Sequence, residues 1–63
     1  MTWEFTVRYA RGSTGLYYIE ARKGKGNWFN ISNSMHKSRA NALVADRDAC
    51  VEQAEKVYKE RYG

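Results

Sequence analysis

The stretch TWEFTVRY at residues 2–9 decides how the chain begins to fold, because polar and apolar side chains alternate along it. A period of two predicts a half-buried β-strand. Its apolar face consists of Trp3, Phe5, Val7 and Tyr9. The segment RGSTG at residues 11–15 is typical of a turn, since its glycines can supply positive φ angles, and the β-rich run LYYIEAR at residues 16–22 follows it. The two runs therefore predict a β-hairpin.

The rest of the chain predicts a third strand and a helix. KGKG at residues 23–26 indicates a second turn, and NWFNI at residues 27–31 a short strand. Helix formers dominate after Ser32, and Ser34 and Ser38 both qualify as the N-cap. Apolar residues then recur three, four and seven apart in one stripe, which comprises Ala40, Leu43, Val44, Cys50, Val51, Ala54, Val57 and Tyr58. The sequence predicts an α+β fold of order β-β-β-α, a three-stranded antiparallel β-meander with one long C-terminal helix packed on one face, as a single domain over residues 1–63.

Arg47 is an exception within this apolar stripe, because it lies between Leu43 and Val51. An unpaired charge is costly to bury. We therefore expect the aliphatic stem of Arg47 to lie against the core while its guanidinium group reaches a carboxylate, or else the helix to bend or restart near Asp46.

The parity of the strands divides the sheet into a core face and an open face. If the apolar face of the first strand meets the helix, its companions in the core are Tyr17, Ile19, Ala21, Phe29 and Ile31. The open face then presents Thr2, Glu4, Thr6, Arg8, Leu16, Tyr18, Glu20, Arg22, Trp28 and Asn30. Tyr18 and Trp28 would be aromatics flanked by arginines, which suits stacking on bases and neutralising phosphates. Alternatively, these aromatics make cross-strand pairs or fill the edge of the sheet.

Charge is distributed unevenly along the 63 residues, whose net charge is +4. Residues 1–39 contain seven lysines and arginines against two acidic residues, whereas residues 40–63 contain four against five. The basic surface therefore belongs to the front of the chain. This balance disfavours a mimic of DNA, which needs a strongly acidic face, and it favours an anionic partner.

Two basic ends are expected to flank the sheet. Arg11 lies in the first turn, Lys23 and Lys25 lie in the second, and the end of the third strand should return Lys37 and Arg39 to the side of Arg11. The candidate residues for binding nucleic acid or a partner are Arg8, Arg11, Tyr18, Arg22, Lys23, Lys25, Trp28, Lys37 and Arg39. The Gly-Lys-Gly turn lacks the remainder of a phosphate-binding loop. The alternative is that basic turns only keep a small protein in solution.

This layout resembles the arm-type DNA-binding domains at the N-termini of tyrosine recombinases. The resemblance covers about residues 15–54 and rests on Gly15, Tyr17, Tyr18, Lys25 and Gly26, in a Tyr-Tyr strand followed by a basic glycine turn. It implies a sheet that inserts into the major groove of DNA. The chain departs from that pattern in its long C-terminal helix, after which no recombinase domain follows.

The composition disfavours several classes of protein. Cys50 is the single cysteine and His36 the single histidine, so no internal disulfide or Cys/His zinc cage is expected. Cys50 falls in the apolar stripe, where a thiol behaves as a small hydrophobe. We expect no enzyme activity, no cofactor and no metal. No apolar run approaches the ~20 residues of a membrane span, and the N-terminus lacks the pattern of a signal peptide, so we expect a complete, cytoplasmic chain without a membrane partner.

Two functions remain open. The first is a small basic module that binds nucleic acid, most simply DNA, through the open sheet face and the basic turns. The second is a protein-interaction module, such as a small phage-type inhibitor or adaptor, that docks on a host protein complex through the same aromatics or through its sheet edge. A chain of this length buries a small core, so a bound partner or a homodimer would add to its stability.

Overall fold

The computed structural model describes residues 2–63 and has an open antiparallel sheet on which two helices pack. Strand β1 spans Trp3–Tyr9 and strand β2 spans Leu16–Lys23. They pair over their full length, with Trp3 opposite Lys23 and Tyr9 opposite Tyr17. The predicted hairpin is therefore confirmed. Gly12 and Gly15 in the connecting turn have φ angles of 86° and 72°, which residues with a side chain rarely adopt.

The predicted third strand over residues 27–31 is wrong in extent. Two short strands, β3 at Phe29–Asn30 and β4 at Met35–His36, share the second edge of β2. Between them, the Ile31 N–H donates to the Ile19 carbonyl at 2.9 Å, and the Ile19 N–H donates to the Ser32 hydroxyl at 2.9 Å. A side-chain oxygen thus takes the place of a ladder carbonyl, and the strand is interrupted there.

The predicted single long helix is also wrong, because the chain forms two helices. Helix α1 spans Lys37–Ala45 and helix α2 spans Arg47–Tyr62. Asp46 separates them, and its carboxylate accepts a hydrogen bond from the Ala49 N–H at 3.2 Å, so it caps the second helix.

The start of α1 differs from the prediction as well. His36, rather than Ser34 or Ser38, is the N-cap residue, and its side chain makes no capping hydrogen bond. The His36 backbone is instead extended because it still belongs to β4, so strand pairing sets the start of the helix.

Arg47 lies at the helix break and contacts strand β1. Its Nη2 atom donates to the Trp3 carbonyl at 3.1 Å, and its guanidinium carbon lies 5.7 Å from the centre of the Phe5 ring. The expected restart near Asp46 is confirmed. The partner of Arg47 is a backbone carbonyl and not the carboxylate that we expected.

The core lies between one face of the sheet and the two helices. The buried side chains are Trp3, Ile19, Ala21, Phe29, Ile31, Ala40, Cys50 and Ala54. Half-buried Phe5, Leu43, Val44, Val51 and Val57 pack against the cluster that Trp3, Ile19, Ala21, Phe29, Ile31 and Ala54 form. The predicted strand parity and the helix stripe are thus confirmed. There are two exceptions. Tyr58 of the stripe is 36% exposed. Tyr9 is 49% exposed because it ends β1 beside the turn, where its hydroxyl donates to the Ser13 carbonyl at 2.6 Å.

Candidate functional site

The open face of the sheet carries the side chains whose parity is opposite to the core. Strand register places Glu4 beside Arg22, Thr6 beside Glu20 and Arg8 beside Tyr18. Trp28 and Tyr18 are both half-buried. Helices α1 and α2 contribute their apolar residues to the opposite face, so within residues 2–63 this surface has no helix packed over it.

The Arg22 guanidinium is held at two sides. Its Nε and Nη2 atoms donate to both carboxylate oxygens of Glu4 at 2.9–3.2 Å, and its guanidinium carbon lies 4.7 Å from the centre of the Trp28 ring. The hydrogen bonds from Arg22 lower the pKa of Glu4 and raise that of Arg22. Both side chains remain partly exposed. The arrangement fixes the indole of Trp28 beside a bidentate ion pair.

The second arginine of this face, Arg8, is paired with a glutamate through a single hydrogen bond. The Arg8 Nε atom donates to Glu20 at 2.8 Å, diagonally across strands β1 and β2. Two arginines are therefore matched by two glutamates, and the open face is close to neutral. Sequence reasoning named Arg8 and Arg22 as cations for a partner and missed their carboxylates, although the register of a hairpin closed at residues 11–15 places Glu4 opposite Arg22.

Cations without a carboxylate within 4 Å gather at the first end of the sheet, as far as residues 2–63 show. His36 pairs with Leu16, so helix α1 begins at the end where the turn of residues 11–15 lies. Arg11, Lys37 and Arg39 therefore share this end, and all three are exposed. The Lys37 ammonium lies 5.7 Å from the centre of the Tyr17 ring.

The second end of the sheet combines Lys23 and Lys25 with aromatic rings. The Lys23 ammonium lies 5.2 Å from the centre of the Tyr58 ring and 5.8 Å from that of Trp3, whereas Lys25 is exposed in the turn after β2. Tyr62 of helix α2 packs within 4.9 Å of Tyr58, ring centre to ring centre, and is 61% exposed. Sequence reasoning missed Tyr62, although it lies four residues after Tyr58 on the same helix face.

A groove of about 860 Å³ lies between the β3–β4 segment and the two helices. Leu16, Ile31, Met35 and Leu43 supply its apolar lining, and its polar lining includes His36, Arg39, Glu52 and Lys56. Of the predicted site residues, this groove contains Arg39 alone. It depends on the interruption after Ile31 and on the helix break, neither of which the predicted meander contained.

Within residues 2–63, the groups suited to nucleophilic or metal chemistry do not come together. Cys50 is fully buried, its thiol donates to the Leu43 carbonyl at 3.0 Å, and burial raises its pKa, so the thiolate is disfavoured. Across residues 2–63, no three His, Cys, Asp or Glu side chains form a cluster suited to holding a metal ion. Neither helix is both long and apolar enough to cross a bilayer.

Comparison of the chain with protein-family models, with curated proteins and with solved structures gave no match.

Proposed function

We propose that this chain is a small binding module for nucleic acid, most simply DNA. The observation that supports it is the layout of charge. Five lysine and arginine side chains lie toward the two ends of the sheet with no carboxylate within 4 Å among residues 2–63: Arg11, Lys23, Lys25, Lys37 and Arg39. Such cations neutralise phosphates and release counterions.

The separation of the two ends suits a nucleic-acid backbone. Trp3 and Tyr9 mark the ends of β1, and six residue steps at about 3.4 Å each span about 20 Å. This distance corresponds to roughly six base pairs of a duplex, in which each strand rises about 3.4 Å per nucleotide. A nucleic-acid backbone lying along the hairpin would therefore meet cations that can bind its phosphates at both ends of the sheet.

The middle of the face would supply aromatic contacts. Tyr18 and Trp28 are half-buried on the open side, and Arg22 holds the indole of Trp28 at 4.7 Å. A ring fixed by its neighbours loses little conformational entropy when a base or sugar packs on it. In this proposal Arg8 and Arg22 hold the side chains of the open face in place through their ion pairs, and the cations at the two ends of the sheet contact phosphate.

The test is equilibrium binding of the purified protein to a labelled DNA duplex and to the corresponding single strand over a range of salt concentrations. We expect the triple variant Arg11→Gln/Lys25→Gln/Arg39→Gln to lower the slope of log affinity against log salt by about two to three units. The exposed Lys59→Gln variant removes a charge of helix α2 that is not among the five proposed phosphate-binding cations, and it should leave the slope unchanged. The proposal is wrong if the wild-type protein binds neither DNA nor RNA at low salt.

The groove supports a second candidate function, the docking of a protein. Its volume and apolar lining would accommodate side chains of a partner, with Arg39 and Lys56 at hand for acidic groups. Ala49 is half-buried in this lining, so Ala49→Arg would fill the groove without deleting a core side chain. A protein partner that wild type retains at high salt and the Ala49→Arg variant loses would favour this function.

A further inference from the structure

The outer edge of strand β1 offers hydrogen-bonding groups that the fold itself does not use. The Thr2 carbonyl accepts from the Gly24 N–H at 2.9 Å, and the Ala10 N–H donates to the Leu16 carbonyl at 2.8 Å. These bonds fix the parity of β1, so its even-numbered residues bond to β2 and its odd-numbered residues direct their N–H and C=O groups outward. Within residues 2–63 only the Trp3 carbonyl has a partner on that side, namely Arg47.

The two edges of the sheet differ in how they are protected. The opposite edge consists of the two-residue strands β3 and β4 with an interruption between them, which is a common way to block further pairing. Strand β1 is seven residues long and contains neither proline nor lysine. Arg47 covers its start at Trp3, while Phe5 and Val7 remain half-buried at the open edge. This edge is therefore available for strand addition.

We propose that a second copy of this chain occupies the edge, with two β1 strands pairing antiparallel about a twofold axis at Thr6. This register places Phe5 opposite Val7 of the second copy, and the outward backbone groups of both residues can form four hydrogen bonds. It also places Glu4 opposite Arg8 of the second copy, twice per dimer. These two positions form a non-hydrogen-bonded pair, in which side chains approach most closely.

Charge complementarity selects this register over its neighbours. An axis at Phe5 would set Glu4 opposite Thr6, and an axis at Val7 would set Thr6 opposite Arg8, so neither matches opposite charges. The axis at Thr6 joins the intrachain pairs of the two copies, because Glu4 already binds Arg22 and Arg8 already binds Glu20. The result would be one continuous sheet, and a network of arginine–glutamate ion pairs would extend across the interface on its open face. Formation of this dimer does not require the protein to bind nucleic acid.

The test is a charge swap measured by analytical ultracentrifugation. Wild type should associate from its 7.3 kDa monomer to a dimer, with Kd below about 1 mM. Glu4→Arg and Arg8→Glu should each weaken self-association by about tenfold or more, because each homodimer would place like charges at both contacts. An equimolar mixture of the two variants should dimerise again, since both contacts of the mixed dimer would pair an arginine with a glutamate. The exposed helix residues supply matched controls, Glu60→Arg and Arg61→Glu, which should leave dimerisation unchanged.

The mixture distinguishes the interface from damage to the monomer. Each variant loses an intrachain ion pair, but it loses the same pair in the mixture, so only an intermolecular contact explains restored association. Amide exchange supplies a second readout. The Phe5 and Val7 amides should become protected as protein concentration rises, while the Thr6 amide, which faces β2, stays protected throughout. A chain that remains monomeric at about 1 mM, or a mixture that associates no better than its components, would overturn the proposal.

Discussion

Replacing two adjacent aromatics, Trp28 and Phe29, should produce opposite effects on stability and binding. Phe29 is 4% exposed and packs against the rings of Trp3 and Tyr58, with centres 5.9 Å and 6.0 Å away. Phe29→Ala should therefore cost about 3–5 kcal/mol of unfolding free energy. A core in a chain this short rarely supplies more than that, so the variant should be largely unfolded at room temperature.

Trp28→Ala should be tolerated. The indole is half-buried, and the Arg22 guanidinium carbon lies 4.7 Å from the centre of its ring. Loss of that cation–π contact and of some apolar area should cost about 1 kcal/mol, or about 4–8 °C in Tm for a domain of this size. Binding to DNA should fall by about tenfold, because stacking on one base contributes about 1–3 kcal/mol.

Thermal and urea unfolding followed by circular dichroism measure the difference in stability. The salt-dependent binding assay measures the difference in DNA affinity. Phe29→Leu is the graded variant if Phe29→Ala does not fold, with an expected loss of about 1–2 kcal/mol and unchanged affinity. Equal destabilisation by Trp28→Ala and Phe29→Ala would refute the reasoning, because the indole would then belong to the core.

Two further predictions concern polar contacts. In a urea titration, Arg47→Ala should lower the free energy of unfolding by about 1–2 kcal/mol, because it removes a charged hydrogen bond to the Trp3 carbonyl and the contact with Phe5. The control Arg61→Ala, on the exposed helix end, should cost less than about 0.5 kcal/mol in the same titration. Arg22 lowers the pKa of Glu4 below its ordinary value of 4.5, so the Glu4 carboxylate stabilises the fold above that pH and loses this effect as pH falls through the lowered pKa. Wild type should therefore be more stable than Glu4→Gln near neutral pH, and the two should converge in acid. A stability difference that does not change with pH would contradict this ion pair.

The alternation in residues 2–9 was enough to predict which sheet face is core, because a period of two leaves only two choices and burial of Trp3 and Phe5 selects one of them. The interruption of the third strand was not accessible in this way. It depends on the Ser32 hydroxyl reaching the Ile19 N–H, a contact 13 residues away in sequence that no local propensity encodes. The groove beside that interruption was missed for the same reason.

The helix break lay between these cases. Arg47 in an apolar stripe indicated a restart, and Asp46 before it is a favoured N-cap residue. The sequence could not show that the guanidinium would reach the Trp3 carbonyl, 44 residues earlier, because that contact exists only once the start of α2 lies near the start of β1. The local signal for a helix restart could thus be predicted from the sequence, whereas the residue that Arg47 contacts across the fold could not.

The pairing of the open face determines which cations can carry affinity for a polyanion. A phosphate approaching Arg22 must compete with the Glu4 carboxylate at 2.9 Å, and one approaching Arg8 must compete with Glu20 at 2.8 Å. Lys25 and the other end cations have no carboxylate within 4 Å among residues 2–63, so a phosphate approaching them displaces no acidic side chain. If the five end cations alone bind duplex phosphates, log affinity should fall against log salt with a slope of roughly −4.5, whereas participation of Arg8 and Arg22 would steepen it to roughly −6.3. A slope near the steeper value would show that nucleic acid breaks both ion pairs, and the assignment of phosphate binding to the two ends alone would be wrong.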